Sequence, residues 1–426
     1  TGRHRRPARF TGLWECLQVE TEIKISKYMA KDFRGRKYEE GGIMSKKNEK
    51  KILSQRILSI CFLLLIVAGT LIISCRSSEP SEEQKRNHPS AKQVNIGTPK
   101  FMPGNNDIII FEYASVFSSK LVTYNLKTGK FTKFENIPFK QAFFPSYSSD
   151  AKKIVFLGAL DEFGHNRNIY IMNADGSGLR QITNFDFSGK KEGNLKISNK
   201  VRAPSFSSDG KRILYAKARF KRERAYPLSG TMDTAWDVYE IDVATGKERR
   251  LTNYDFYEIS WPHYMPDGKR FIFSAEGPVN STGKGPKDFR EYEEMYQKNF
   301  IFIMDGIANE LKPAFTYGSN SDWPCVMPDG AIIFVSETSA KNSPKATREL
   351  FIYKKGQVKR LTQMDTWISH ARISSDGKYI IFSKRSDKKT YDHSKWLMNS
   401  DGTGRKEIKI PMNLLKQEST KAGKVI

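Results

Sequence analysis

Two histidines bound the acid–base and metal chemistry open to this chain. A metal or catalytic centre needs several His or carboxylate groups converging on one point. His263 and His370 are the candidates. They stand in unequal registers, four positions before Asp267 and six before Asp376. Side chains in unequal registers do not face a common centre by repetition, so both are read as packed or solvent-facing strand residues rather than ligands. No cofactor and no metal is expected. The sequence has no Gly-x-Ser-x-Gly nucleophile elbow, His-Glu-x-x-His, paired Cys-x-x-Cys or phosphate-cradling glycine loop. Asp175 and Asp401 sit in glycine-rich segments that suggest calcium, but aspartates in such turns ordinarily accept hydrogen bonds from their own backbone.

The elements that must position these residues come from a repeat. Ser148-Ser149-Asp150-Ala151-Lys152-Lys153-Ile154-Val155-Phe156 recurs at Ser207–Tyr215, Met265–Phe273, Met327–Phe334 and Ser374–Phe382, with a worn copy at Met102–Phe111. Asp-Gly between two apolar runs signals a hairpin, because Gly supplies positive φ freely. The β-branched and aromatic runs that follow suit strands. A second hairpin lies downstream, as in Asn168–Met172, Ala174-Asp175-Gly176-Ser177-Gly178 and Arg180-Gln181-Ile182-Thr183. Two hairpins make a four-stranded antiparallel blade, and self-similarity at this period marks a propeller. Six copies give the expected fold: all-β, a six-bladed β-propeller of four-stranded antiparallel blades over 95–411, followed by a C-terminal tail at 412–426. Strands at Gln93–Ile96 and Glu407–Ile410 are expected to pair and close the ring.

Pro204-Ser205-Phe206-Ser207-Ser208-Asp209-Gly210-Lys211 and the run Ile169–Thr183 resemble the WD40-like (PD40) repeat of the TolB-type β-propellers. The resemblance covers about residues 95 to 410 and is specific because the motif pair recurs. It implies the propeller fold. It does not carry over TolB's particular role, since the part ahead of the repeats is too short for a separate α/β domain.

Propeller geometry then assigns faces. The Asp-Gly turns lie at the bottom, and the long connections Asn184–Val201, Lys217–Ala235, Ala275–Asn299 and Glu337–Arg348 fall on top. Variable loops on a rigid scaffold are where β folds display binding sites. The channel mouth is lined from the innermost strands. Arg202, Ser260, Asp322 and Ser369 each stand seven positions before their turn aspartate; Trp261, Trp323 and His370 stand six before, and His263 four before. These eight form the candidate partner-binding set, with the polar members as exposed groups that fix a ligand's orientation. Trp261 and Trp323 are read as packing between blades, with stacking on a sugar as the alternative.

The N-terminal third carries an address. Ile57–Ser74 is uncharged and apolar, and Lys46, Lys47, Lys50, Lys51 and Arg56 precede it. A basic region followed by an apolar one is a secretory signal. Its end, Leu71-Ile72-Ile73-Ser74-Cys75, resembles a bacterial lipobox, which makes Cys75 the expected lipidation site, anchoring the chain to a membrane. The competing reading is an uncleaved membrane-spanning helix. The expected order is a non-native upstream extension at 1–43, a lipoprotein signal peptide at 44–74 and a flexible tether at 75–94. Arg76, rather than Asp, after the cysteine points to the outer membrane.

The formal net charge is +24, but Lys and Arg are scattered along every blade without interleaved aromatic runs, so no nucleic-acid partner is expected. The reading as a whole is a membrane-anchored lipoprotein of the cell envelope. Its propeller is a non-catalytic scaffold for a protein or envelope polymer, in the periplasm or at the cell surface. The alternative is a propeller-type polysaccharide lyase resembling the oligogalacturonate lyases, or another carbohydrate-active enzyme.

Overall fold

The computed structural model describes residues 95–411, apart from 115–117, 162–163, 165, 186–190, 193–194, 224–231, 255, 279–298, 306–312, 316, 319, 339–346 and 386–392. The segments 1–43, 44–74, 75–94 and 412–426, Cys75 among them, lie outside the described residues.

The described elements are all strands in four sheets of nine, eight, four and four strands, and they are taken below as six successive units along the sequence repeats. The first holds β1 (Asn95–Ile96), β2 (Lys100–Met102), β3 (Asn105–Ala114), β4 (Ser119–Asn125) and β5 (Phe131–Lys133). The second holds β6 (Gln141–Tyr147), β7 (Lys153–Ala159), β8 (Asn168–Asn173) and β9 (Arg180–Gln181). The third holds β10 (Lys191–Glu192), β11 (Leu195–Phe206), β12 (Arg212–Glu223), β13 (Met232–Asp242) and β14 (Glu248–Arg250). The fourth holds β15 (Phe256–Tyr264), β16 (Phe271–Pro278) and β17 (Asn299–Met304), with a bridge from Phe302 to Pro313 in place of an outer strand. The fifth holds β18 (Ser321–Val326), β19 (Ile332–Thr338), β20 (Thr347–Lys354) and β21 (Gln357–Arg360). The sixth holds β22 (Ile368–Ile373), β23 (Tyr379–Arg385), β24 (His393–Asn399) and β25 (Lys406–Ile408).

The middle strands are apolar on both faces because each unit is sandwiched between two others. Successive side chains of a strand point to opposite sides. In β19, Ile333 and Val335 join the sixth unit's Ile380 and Phe382, whereas Ile332 and Phe334 join the fourth unit's Ile272 and Ile301. The other interfaces repeat this pattern. The last one joins Ile109, Phe111 and Val122 of the first unit to Ile381 and Ile410 at the chain's other end, so the row of units closes on itself. Closure does not use the expected strand pairing. Asn95 and Ile96 pair with β3, and β25 pairs with β24. Among the described residues the seam includes this apolar cluster and the hydrogen bonds from Gly104 N–H to Ser375 Oγ (3.1 Å) and from Asn106 Nδ2 to Asp376 Oδ2 (2.9 Å).

The long top connections are shorter than the sequence suggested. β12 runs on to Glu223 and β13 starts at Met232, so most of Lys217–Ala235 is an extended hairpin. β11 starts at Leu195, and Glu337 and Arg348 face each other in the β19–β20 ladder.

The repeated turns behave as read. Ser207 Oγ donates to Asp209 Oδ1, which also accepts from the Lys211 N–H at 3.0 Å. Asp175 and Asp401 accept from the backbone and hydroxyl two residues on, at 2.7 to 2.9 Å. One turn also locks two units together. Gly402 has φ of 94°, and a Cβ there would stand 2.7 Å from the Leu361 carbonyl oxygen, whereas Gly210 (φ 68°) has open space around it. Gly210→Ala should therefore lose about 1 kcal/mol, the left-handed backbone strain alone. Gly402→Ala should lose about 2 kcal/mol or more, because the clash adds to that strain. Urea denaturation of the two variants checks this; equal losses would exclude the clash.

Candidate functional site

Five of the six innermost strands are broken at the same place. The ladder slips between Phe143 and Ser146, Arg202 and Ser205, Ser260 and His263, Asp322 and Cys325, and Ser369 and Arg372. Inside each slip one residue has positive φ: Phe144 (53°), Ala203 (47°), Trp261 (55°), Trp323 (49°) and His370 (56°). All five stand six positions before the turn aspartate of their unit. A β-bulge re-aims a side chain, and left-handed backbone in a bulky residue is strain held by the surrounding structure. Proline follows the first four, which disfavours helical backbone at the preceding residue and adds to the strain.

The five bulge residues are brought together. They line an open cavity of about 360 Å³ with Arg167, Arg202, Glu258, Ile259 and Ser260. The lining comes from the strand halves away from the Asp-Gly turns, which is the top face. The floor is aromatic: Phe144 meets Trp261 edge-on at 5.4 Å, Trp261 meets His370 edge-on at 6.1 Å, and His370 tilts on Trp323 at 4.8 Å. The rim is charged. Arg202 pairs with Glu258 and lies 4.6 Å over the Trp236 ring. Arg167 lies 4.2 Å over Phe143, and its Nε donates to the Gly164 carbonyl at 2.5 Å. Burial, reinforced by the Arg202 charge, holds the Arg167 pKa below its usual value.

Of the eight residues anticipated at the mouth, Arg202, Ser260, Trp261, Trp323 and His370 line the cavity. Asp322, Ser369 and His263 do not. Asp322 is buried behind the floor, where it accepts from Ser274 Oγ and from the Trp323 N–H at 2.7 Å; burial raises its pKa against the pull of Arg348. Expected as an exposed entrance group, Asp322 is instead part of the wall. Ser369 is 2% exposed, with its hydroxyl 2.9 Å from His370 Nδ1. The His263 Nε2 is buried without a hydrogen-bond partner. Burial holds both histidines well below the ordinary imidazole pKa, so both are neutral at pH 7. Trp261 turns to the centre rather than packing between units; Trp323 does so while leaning on the fifth–sixth interface.

Five lining residues went unanticipated: Phe144, Ala203, Arg167, Glu258 and Ile259. Phe144 and Ala203 carried a signal, since they share the register of Trp261 and Trp323 and the following proline. Arg167 lies between β7 and β8, where no register reaches it.

No protein-family model matches the chain. The Tol-Pal system protein TolB of Francisella tularensis subsp. holarctica (strain OSU18) is 27% identical over 210 residues, 49% of this chain and 40% of TolB. TolB of F. tularensis subsp. mediasiatica (strain FSC147) is 31% identical over 93 residues, 22% of this chain and 18% of TolB. The chain is a TolB-like β-propeller. It spans less than half the length of these curated relatives. Among solved structures, TolB from Acinetobacter baumannii superposes with a TM-score of 0.47 at 19% identity, covering 74% of this chain and 63% of that one. An oligogalacturonate lyase in complex with manganese gives 0.48 at 15%, covering 74% and 77%. Among the described residues of this TolB-like chain, no group of three or more His, Cys, Asp or Glu is arranged to hold a metal ion.

Proposed function

We propose that this TolB-like propeller is a non-catalytic binding scaffold of the bacterial cell envelope, and that its mouth cavity grips a protein or envelope-polymer partner. The observation that carries this reading is the ring of bulges. Positive φ recurs at the same register in the five units, and its common effect is to aim side chains into one cavity. Strain repeated at one register and directed at one cavity is a sign of function rather than packing. An aromatic floor with guanidinium groups at the rim is the composition of interface hot spots. Such a surface takes an apolar or aromatic group on the floor and a carboxylate at the rim. The TolB relatives, named for the Tol-Pal system, support an envelope role. A lipid anchor at Cys75, with outer-membrane residence, is the address that accompanies this reading.

The test is capture from solubilised envelope, followed by equilibrium binding of the captured partner. Arg202→Ala with Trp323→Ala should weaken that binding at least about tenfold, since hot-spot truncations reach 2 kcal/mol or more. Arg202 has a side chain 38% exposed, so Arg202→Ala alone should leave the melting temperature nearly unchanged. Unaltered binding by the double variant would remove the cavity from the interface. Cleavage of oligogalacturonate that a chelator abolishes would put an enzyme in place of the scaffold.

A further inference from the structure

Beneath the aromatic floor lies a cluster of buried basic side chains, and two of its guanidinium groups, those of Arg348 and Arg372, are incompletely satisfied. Arg372 of β22 is 4% exposed and lies 3.9 Å over the Trp261 ring. Lys100 of β2 places its Nζ 5.8 Å from the centre of the same ring. His263 follows Trp261 by two residues in β15. Three nitrogen-bearing side chains from the first, fourth and sixth units thus gather around one indole. Lys395 and Arg348 are buried as well; Lys395 donates to Ser383 Oγ at 2.8 Å, and Arg348 stacks on Trp323 at 4.6 Å. The carboxylates that act on this cluster are the buried Glu112 and Asp322 and, on Arg348, Glu337. Four buried basic side chains therefore face three carboxylates.

The unsatisfied atoms define a shape. Arg372 Nη1 donates to the Ala371 carbonyl, while its Nε and Nη2 are buried without a partner, as is His263 Nε2. Nε and Nη2 form the side edge of the guanidinium, which donates two parallel hydrogen bonds to an oxoanion. Buried donors without an acceptor are unfavourable, and an anion at that edge would satisfy both of them.

We propose that the channel beneath the floor binds one small inorganic oxoanion of the phosphate or sulfate class. Arg372 holds it through the Nε and Nη2 edge, with His263 and Lys100 completing the shell. The ligand must be small, because Phe144, Trp261, Trp323 and His370 occupy the mouth above it. The site is distinct from the partner-binding cavity and does not depend on it.

The test uses the full chain, purified without phosphate or sulfate, in equilibrium dialysis against radiolabelled inorganic phosphate. Saturable binding of one phosphate per chain, displaced by sulfate, is expected. Arg372→Gln should weaken it at least about tenfold, whereas Arg202→Ala at the rim should leave it unchanged. O-phosphoserine should compete far less well than free phosphate. Absence of saturable binding overturns the proposal, as does equal binding by Arg372→Gln. Equal competition by O-phosphoserine would move the anion to the open mouth and also overturns it. If Arg372→Gln fails to fold, Lys100→Met takes its place with the same expected loss, and undiminished binding there is equally decisive.

Discussion

Asp237→Ala should lower the stability of the propeller by about 3–5 kcal/mol, the range for breaking a buried charged pair. The Asp237 side chain is fully buried on β13. It pairs with Arg250 and accepts from Thr252 Oγ1 at 2.7 Å and from the Tyr254 N–H at 3.0 Å. Thr252 Oγ1 in turn accepts from the Val238 N–H at 2.9 Å, so one carboxylate fixes the outer edge of the unit to its third strand. The device recurs. Glu349 accepts from Thr362 and from the Met364 and Asp365 N–H groups. Asn168 Oδ1 accepts from Thr183 Oγ1 and from the Phe185 N–H. Alanine at 237 would remove this ion pair and leave two donors, Thr252 Oγ1 and the Tyr254 N–H, without this acceptor. The second unit does the same work with a neutral amide, so Asp237→Asn should lose less than half as much. Guanidinium denaturation of both variants checks the ordering. An Asp237→Ala protein within about 1 kcal/mol of the parent would mean that solvent replaces the network.

The parts of this molecule legible in its sequence are those that depend on a few adjacent residues. Ser-Ser-Asp-Gly writes its own turn, because the serine hydroxyl and the aspartate carboxylate bond within five residues of each other, as Ser148 Oγ does with Asp150 Oδ1 and with the Lys153 N–H. The Arg-x-Ile/Leu-Thr endings mark the outer strand for the same reason, their threonines capping the third strand. The mouth was half legible. Counting back from Asp267 or Asp329 reaches Trp261 and Trp323 correctly, but the count assumes an unbroken strand. A bulge reverses the alternation on its far side. Arg202 and Ser260 still reach the cavity, while Ser369 and Asp322, in the same register, end in the wall. The extended β12–β13 hairpin was invisible because Lys217-Ala218-Arg219-Phe220-Lys221-Arg222-Glu223 is charged enough to read as loop. Nothing local separates Lys100, Arg372 and Lys395 from the many surface cations of a chain with net charge +24. Their burial follows from ring closure, which brings the first and sixth units together around one axis.

Those buried lysines should make the protein more stable as pH rises from about 7 to 9, above which the buried Cys325, its thiol pushed up to about 12, opposes them. Burial, with the Arg372 charge adding to it, lowers the Lys100 pKa from 10.5 to about 7, and burial lowers Lys395 to about 8. Between the folded and unfolded values, the unfolded chain holds protons that the folded chain has released. Stability then climbs with pH, by up to about 1.4 kcal/mol per unit for each group. For Lys100 the rise begins near pH 7, and for Lys395 near pH 8. Below pH 7 the trends oppose one another. Glu112, raised by burial to about 7, loses stability as pH rises from its unfolded value, whereas His263 and His370, lowered by burial, gain it. Above about pH 10 unfolded tyrosines ionise more readily than the buried Tyr215, which reverses the gain. The measurement is the denaturation midpoint at pH 7, 8 and 9. The parent should gain several kcal/mol, on the order of the linkage slope times the shift. Lys100→Met should be the more stable protein at pH 7 and should lose most of the rise. A midpoint that is flat or falls in the parent would mean that water or a counter-ion keeps Lys100 charged. Saturating sulfate separates those two cases. A bound dianion favours the protonated lysine, so it should raise stability most at pH 7 and flatten the profile, whereas a water-filled channel would leave the profile as it was.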